Sequence, residues 1–176
     1  MKRWGKGARA ASGMVVFAAL AGCGYHVSGK GELMPKDVHT IYVPQFDNMT
    51  SHYRLTDAIP EAISKELIAR THYQLVKRQD DADAVLKGAV ISFVSFVILS
   101  DQSTGRATAL QVNARIQVTL TDRTGKVLYT HPSWAFNQRY QLSTNATTYF
   151  DESGAAELRM SQDIASSVVS GIMENF

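Results

Sequence analysis

Leu110-Gln111-Val112-Asn113-Ala114-Arg115-Ile116-Gln117-Val118-Thr119-Leu120-Thr121 alternates apolar and polar residues without a break. Successive side chains of a strand point to opposite faces. The period of two therefore predicts one long β-strand, its even-numbered residues in a core and its odd-numbered ones in a polar setting. The preceding stretch, Ala89 to Leu99, is apolar except for Ser92 and Ser95, a pattern that predicts a strand wet on neither face. Asp122-Arg123-Thr124-Gly125 turns the chain into a hairpin partner, Lys126–Thr130. Pro132 predicts that the continuation, Trp134–Tyr140, runs at a sheet edge or through a bulge.

Working towards the N-terminus, His39-Thr40-Ile41-Tyr42-Val43 is β-rich and ends at Pro44, and Phe46–Ser51 reads as a loop. Leu55, Ile59, Ile63 and Leu67 recur every four residues, which predicts a helix from Asp57 to Arg70. Asp57 is the expected N-cap, with Pro60 in the first turn, where its missing N–H costs nothing. Tyr73-Gln74-Leu75-Val76 then reads as a strand, so the unit predicts a right-handed parallel crossover. Beyond the hairpin, Asp151 or Ser153 is the expected cap of a final helix. Its buried stripe is Leu158, Ala165, Val168 and Ile172, with Ile164 and Phe176 at the margin. Two helices with one apolar stripe each belong on one face of a sheet. The predicted fold class is α/β (α+β): a two-layer sandwich with a mixed, mostly antiparallel sheet of four to five strands.

The N-terminal segment has another character. Lys2, Arg3, Lys6 and Arg9 precede ten uncharged residues, Gly13 to Gly22, and Leu20-Ala21-Gly22-Cys23 closes the run. A basic start, a short apolar stretch and small residues before a cut describe a secretory signal. As a helix those ten residues rise only about 15 Å, half of a roughly 30 Å hydrocarbon core, so they do not span a bilayer. A cysteine directly after them resembles the bacterial lipobox. That resemblance implies cleavage before Cys23, an S-diacylglyceryl group on its thiol and an N-acyl group on its amine. Each buried methylene contributes about 0.8 kcal/mol and one chain binds only reversibly, so several chains hold firmly. Gly24 in place of aspartate favours, by analogy with lipoprotein sorting, the outer membrane. The expected organisation is a signal over 1–22, a lipidated tether over 23–37 and a single domain over 38–176.

Charge follows the cut. The chain has 18 Lys and Arg against 16 Asp and Glu, and residues 1–22 take four of the former and none of the latter. The mature part is therefore slightly acidic, without the clustered cations of a nucleic-acid footprint. Cys23 is the only cysteine, so its lipidation leaves no thiol for a disulfide or a metal. His26, His39, His52, His72 and His131 are scattered, none with a second ligand at helical spacing. Asp80, Asp81 and Asp83 lack the glycine and glutamate of a calcium loop. No serine elbow or phosphate loop is present. The reading is a protein without cofactor, metal or catalytic residues, and not an enzyme. The polar row is either a hydrated sheet surface or a partner face. The apolar strand is covered either by its own chain or by another protein.

Several segments together resemble the LptE family of lipopolysaccharide-assembly lipoproteins. They are Cys23-Gly24-Tyr25-His26, Val38-His39-Thr40-Ile41-Tyr42-Val43-Pro44-Gln45-Phe46-Asp47-Asn48 and Leu55-Thr56-Asp57-Ala58-Ile59. Tyr73-Gln74-Leu75-Val76 and Ala82-Asp83-Ala84-Val85-Leu86-Lys87-Gly88 complete the set. The resemblance implies a sandwich anchored to the periplasmic face of the outer membrane. There it would plug a large β-barrel partner, LptD, help assemble it and assist lipopolysaccharide transport. On that reading Asn113, Arg115, Gln117, Thr119, Lys126 and Arg139 are candidates for the face that meets barrel or lipopolysaccharide, the cations by charge-assisted bonds to phosphate. Ile41–Asn48 followed by Leu55–Leu67 also resembles periplasmic lipoproteins of the curli-secretion or peptidoglycan-synthase-activator type. A lipid-binding lipoprotein without a barrel is the third possibility.

Overall fold

A computed structural model describes residues 37–143 and 152–175. Cys23, the segment before it, Asp151 and Phe176 lie outside the described residues.

The elements run β1 (Thr40–Tyr42), β2 (Asp47–Asn48), α1 (Arg54–Arg70), β3 (Gln74–Leu75), a 3-10 turn (Gln79–Asp81), β4 (Ala84–Ser100), β5 (Ala107–Asp122), β6 (Val127–Gln141) and α2 (Ser153–Glu174). The sheet order is β3-β1-β4-β5-β6, with β2 also on β4. β1 pairs in parallel with both β3 and β4, and β2 lies parallel to β4, whereas the β4-β5-β6 meander is antiparallel. The sheet thus has six strands, one more than expected, because Asp47 and Asn48 pair with Ala89 and Val90 instead of forming a plain loop.

The even-numbered residues Val112, Ala114, Ile116, Val118 and Leu120 are buried. They share one core with Leu55, Ile59, Ile63 and Leu67 of α1 and Met160, Ile164, Val168 and Ile172 of α2. Both helices therefore cover the same face of the sheet. Leu158 is 56% exposed, so it does not belong to the buried stripe of α2, and Ile164 is central, not marginal.

α1 begins one turn earlier than expected, with Tyr53 as N-cap and no side-chain capping bond. Pro60 consequently falls in the second turn, and the carbonyl it cannot serve is that of Thr56. The Phe46 N–H donates to that carbonyl at 3.1 Å. The tertiary bond offsets the lost helical one, which is why Pro60 is tolerated. Asp57, expected as the cap, instead accepts a bond from Gln45 Nε2 at 2.5 Å.

β1 is fastened to β4 by Asp83, whose carboxylate accepts bonds from the backbone N–H groups of His39 and Thr40 and from Thr40 Oγ1, at 2.9–3.0 Å. Arg123 adds an ion pair at 3.4 Å. The bond from His39 and those from Thr40 hold this carboxyl below the ordinary aspartate range. At Gly171 of α2 an added Cβ would lie 2.5 Å from Tyr129 Oη and 3.3 Å from Trp134, so only glycine permits the close approach of α2 to β6.

Helix length decides what stays uncovered. Twenty-two residues make α2 about 33 Å long, whereas the seventeen of β4 reach about 55 Å. Ala84, Leu86, Ala89 and Val90 are buried, but Val94, Phe96, Val97, Ile98 and Leu99 are exposed. The expectation that Ala89–Leu99 is wet on neither face therefore fails for most of the stretch: Ala89 and Val90 are buried, Ile91 to Phe93 half-buried and Val94 to Leu99 exposed. The β4–β5 hairpin projects beyond the helix layer. Among the described residues no helix is long and apolar enough to cross a membrane.

Candidate functional site

The face of the sheet away from the helices carries the odd-numbered residues of β5. Strand register sets Thr119 between Lys87 and Thr130, and Gln117 opposite Ala89. Further along, Arg115 lies between Ser92 and Ala135, Asn113 between Val94 and Asn137, and Gln111 between Phe96 and Arg139. The period of two in the sequence puts these side chains on one side. Register shifts, between Val90 and Ser92 in β4 and at Pro132 in β6, decide which neighbours they meet. Pro132 sits in that shift on an edge strand, as expected.

Arg139 Nε donates to Gln111 Oε1 at 3.1 Å, and Gln111 Nε2 donates to Asn113 Oδ1 at 3.0 Å. This chain of bonds runs across β6 and along β5 and fixes both amides. Arg115 is exposed and has no hydrogen-bond or ion-pair partner among the described residues. Thr119 and Thr130 share a hydroxyl bond at 3.1 Å. A shallow cavity of about 320 Å³ opens on the face, lined by Ser92, Val94, Phe96, Gln111, Asn113, Arg115 and Asn137 among others. Its walls combine a cation and amides on β5 and β6 with apolar side chains on β4. Neither a histidine nor a carboxylate lines it. Its lining holds no nucleophile–base pair.

Of the predicted site residues, the fold gathers Asn113, Arg115, Gln117, Thr119 and Arg139 on one face. Lys126 lies beyond the Thr119 end of the row, in the β5–β6 turn, where its N–H donates to Asp122 Oδ1 at 2.9 Å. Seven residues of β5 separate that end from Arg115, a distance of about 23 Å. Sequence reading missed Val94 and Phe96 as members of the face, because an apolar run carries no alternation to say which side each residue takes.

Elsewhere, a groove of about 470 Å³ between the helices is floored by Ala58, Ala62, Ala165 and Ser166, with the Glu61–Lys65 ion pair (2.6 Å) on its rim. The His131 ring stacks on Trp134 with centroids 4.3 Å apart, its Nδ1 buried without a partner. Among the described residues no group of three or more His, Cys, Asp or Glu side chains is placed to hold a metal ion. At the tip of the β4–β5 hairpin, Asp101 accepts bonds from Ser103 and Thr104. Led by the Ser103 hydroxyl, they bring its carboxyl down to about 2.

A family model described as lipopolysaccharide-assembly, LptE, matches residues 38–172. Among solved structures, the chain is similar to an uncharacterized lipoprotein B from Nitrosomonas europaea, with 11% identity and a TM-score of 0.54 over 80% of this chain and 84% of that one. It is also similar to a minor lipoprotein from Acinetobacter baumannii, with 16% identity and a TM-score of 0.51 over 80% and 95%. At these identities the likeness concerns the fold. No curated protein sequence matches.

Proposed function

The chain belongs to the LptE family of lipopolysaccharide-assembly proteins, and from that premise we propose that it is a non-enzymatic, lipid-anchored plug of an outer-membrane β-barrel, LptD. In this role it helps the barrel assemble and assists lipopolysaccharide on its way to the outer leaflet. The observation that carries the reading is the open sheet face. Barrel interiors are polar, and a body that fills one needs a broad polar surface backed by a rigid core. The Gln111–Thr119 row supplies that surface, with buried Ala114, Ile116 and Val118 alternating behind it. Arg115, unpartnered among the described residues, and Arg139, held by Gln111, offer guanidinium groups that suit phosphate or carboxylate. Phe96 and Val94 beside them suit an amphiphile better than a simple anion. Cys23, alkylated with diacylglycerol and N-acylated after removal of residues 1–22, ties the body to the periplasmic face of the outer membrane.

Co-purification of the full-length chain from gently solubilised outer membranes tests this. One large barrel at one-to-one stoichiometry is the expected result. A self-assembled ring or a bound peptidoglycan synthase would replace the proposal with the curli-type or activator reading. Lipid retained without any barrel would replace it with that of a simple lipid carrier.

A further inference from the structure

Arg139 sets the direction of the bonds that lead away from it. A guanidinium only donates, so the Gln111 atom that meets Arg139 Nε at 3.1 Å is the carbonyl oxygen Oε1. Gln111 therefore turns Nε2 towards Asn113, and the atom it meets there, at 3.0 Å, is Oδ1. The acceptor of Asn113 is thereby spent, while its Nδ2 has no partner among the described residues. Two residues along β5, on the same face and about 7 Å away, stands the Arg115 guanidinium, also without a partner among them. Both residues line the cavity of about 320 Å³, where Val94 and Phe96 form an apolar wall and no carboxylate is present. We propose that Asn113 and Arg115 bind one carboxylate carried on an apolar stem. Arg139, which does not line the cavity, is the positioning residue that aims the Asn113 amide through Gln111.

The donor set selects the class of ligand. A cation would meet a guanidinium with no carboxylate beside it. A carboxylate is planar and carries one negative charge, which one guanidinium balances through two parallel N–H···O bonds, leaving a lone pair for Asn113 Nδ2. A phosphate monoester carries about −1.5 to −2 near neutral pH. Part of that charge would stay uncompensated, because the Arg139 Nε is spent on Gln111 and its side chain lies outside the cavity lining. The relay also strengthens its last donor, since each bond polarises the next.

The source of the carboxylate rests on the proposed role of this face as a barrel contact. A group that reaches a cavity on that face comes from the barrel's inner wall, as an aspartate or glutamate side chain whose methylenes lie against Val94 and Phe96. The donor site itself belongs to the chain and does not depend on that role.

Two measurements on the full-length chain test the proposal. In neutral detergent at fixed ionic strength, butyrate should shift the side-chain amide signal of Asn113 saturably, with half-saturation on the order of 10 mM. Butyltrimethylammonium should leave it in place. Gln111→Glu keeps an oxygen for Arg139 but turns a second oxygen to Asn113, whose Nδ2 then rotates inwards and whose Oδ1 enters the cavity. Half-saturation should rise at least about fivefold, and the Asn113 amide protons should move downfield before any butyrate is added. Arg139→Leu should weaken butyrate binding, whereas Arg139→Lys, still a pure donor, should preserve it. No saturable shift, tighter binding of butyl phosphate than of butyrate, or an unchanged half-saturation in Gln111→Glu would overturn the site. In outer membranes, Arg115→Lys treated with a carbodiimide should become coupled to the barrel through an amide at position 115. A barrel that is recovered with the chain but never coupled there would overturn the source. A parent chain that recovers no barrel would instead remove the barrel role and the source with it, and the butyrate titration decides the donor site by itself.

Discussion

Gly88 lies in β4 directly under Phe46, and a Cβ built there overlaps three ring carbons, Cε2, Cζ and Cδ2. The ring has nowhere to retreat. It is 3% exposed, and its own N–H is engaged by the Thr56 carbonyl left free by Pro60. Gly88→Ala should therefore pit two effects against each other. Overpacking a filled core costs about 1–3 kcal/mol. Removing glycine's freedom in the unfolded chain gives back about 0.4–1 kcal/mol. The net loss should be about 1–2 kcal/mol, a fall in melting temperature of roughly 2–8 °C for a domain of this size. Thermal unfolding followed by circular dichroism reads it. Phe46→Leu in the Gly88→Ala background should recover about half of the loss, a coupling expected of residues in contact. An alanine variant as stable as the parent, or a strictly additive double variant, would show that Phe46 does not pin the β2 segment to β4 in this way.

Three other outcomes follow from the same structure. Asp83 has a depressed carboxyl, so its contribution is complete above about pH 4, the unfolded value, and is lost as pH falls through the lower folded one. Asp83→Asn should melt lower at pH 7 and lose less on acidification from pH 4 to 2; parallel melting curves against pH would refute the clamp. Arg115→Glu should leave the melting temperature within about 2 °C, because buried Ala114 and Ile116 are untouched, while barrel recovery drops about fivefold or more. Equal losses of both would argue against an interface there. Cys23→Ala should accumulate as an unprocessed or mislocalised precursor, and mature chain still fractionating with outer membranes would exclude lipidation.

Much of this architecture was legible because alternation is a strong signal. Leu110–Thr121 gave β5 and its buried side residue by residue, and the four-residue spacing from Leu55 to Leu67 gave α1 and its core stripe. Patterns of single residues carried less. The N-cap expected at Asp57 assumed that Pro60 must sit in a first turn, and no local pattern reveals a carbonyl served from Phe46. β4 was misread for a related reason. Apolar content says that a strand can be buried on both sides, but how far the helices reach along it depends on the relative lengths of α2 and β4. Leu158 failed likewise, an apolar residue on the outward side of its helix. Within the site, Arg115 and its odd-numbered neighbours were readable, whereas Phe96, Val94 and the distance of Lys126 from Arg115 emerge only from register.

The account rests on the open face of the sheet meeting a barrel wall. A photo-crosslinking residue placed at Gln117, in the middle of that face, in the full-length chain in living cells tests this most directly. A covalent adduct with one large outer-membrane β-barrel is expected there, with the same probe at exposed Arg159 of α2 as a comparison position. Gln117 remaining free of any barrel adduct, or reacting only with a soluble periplasmic protein, would contradict it.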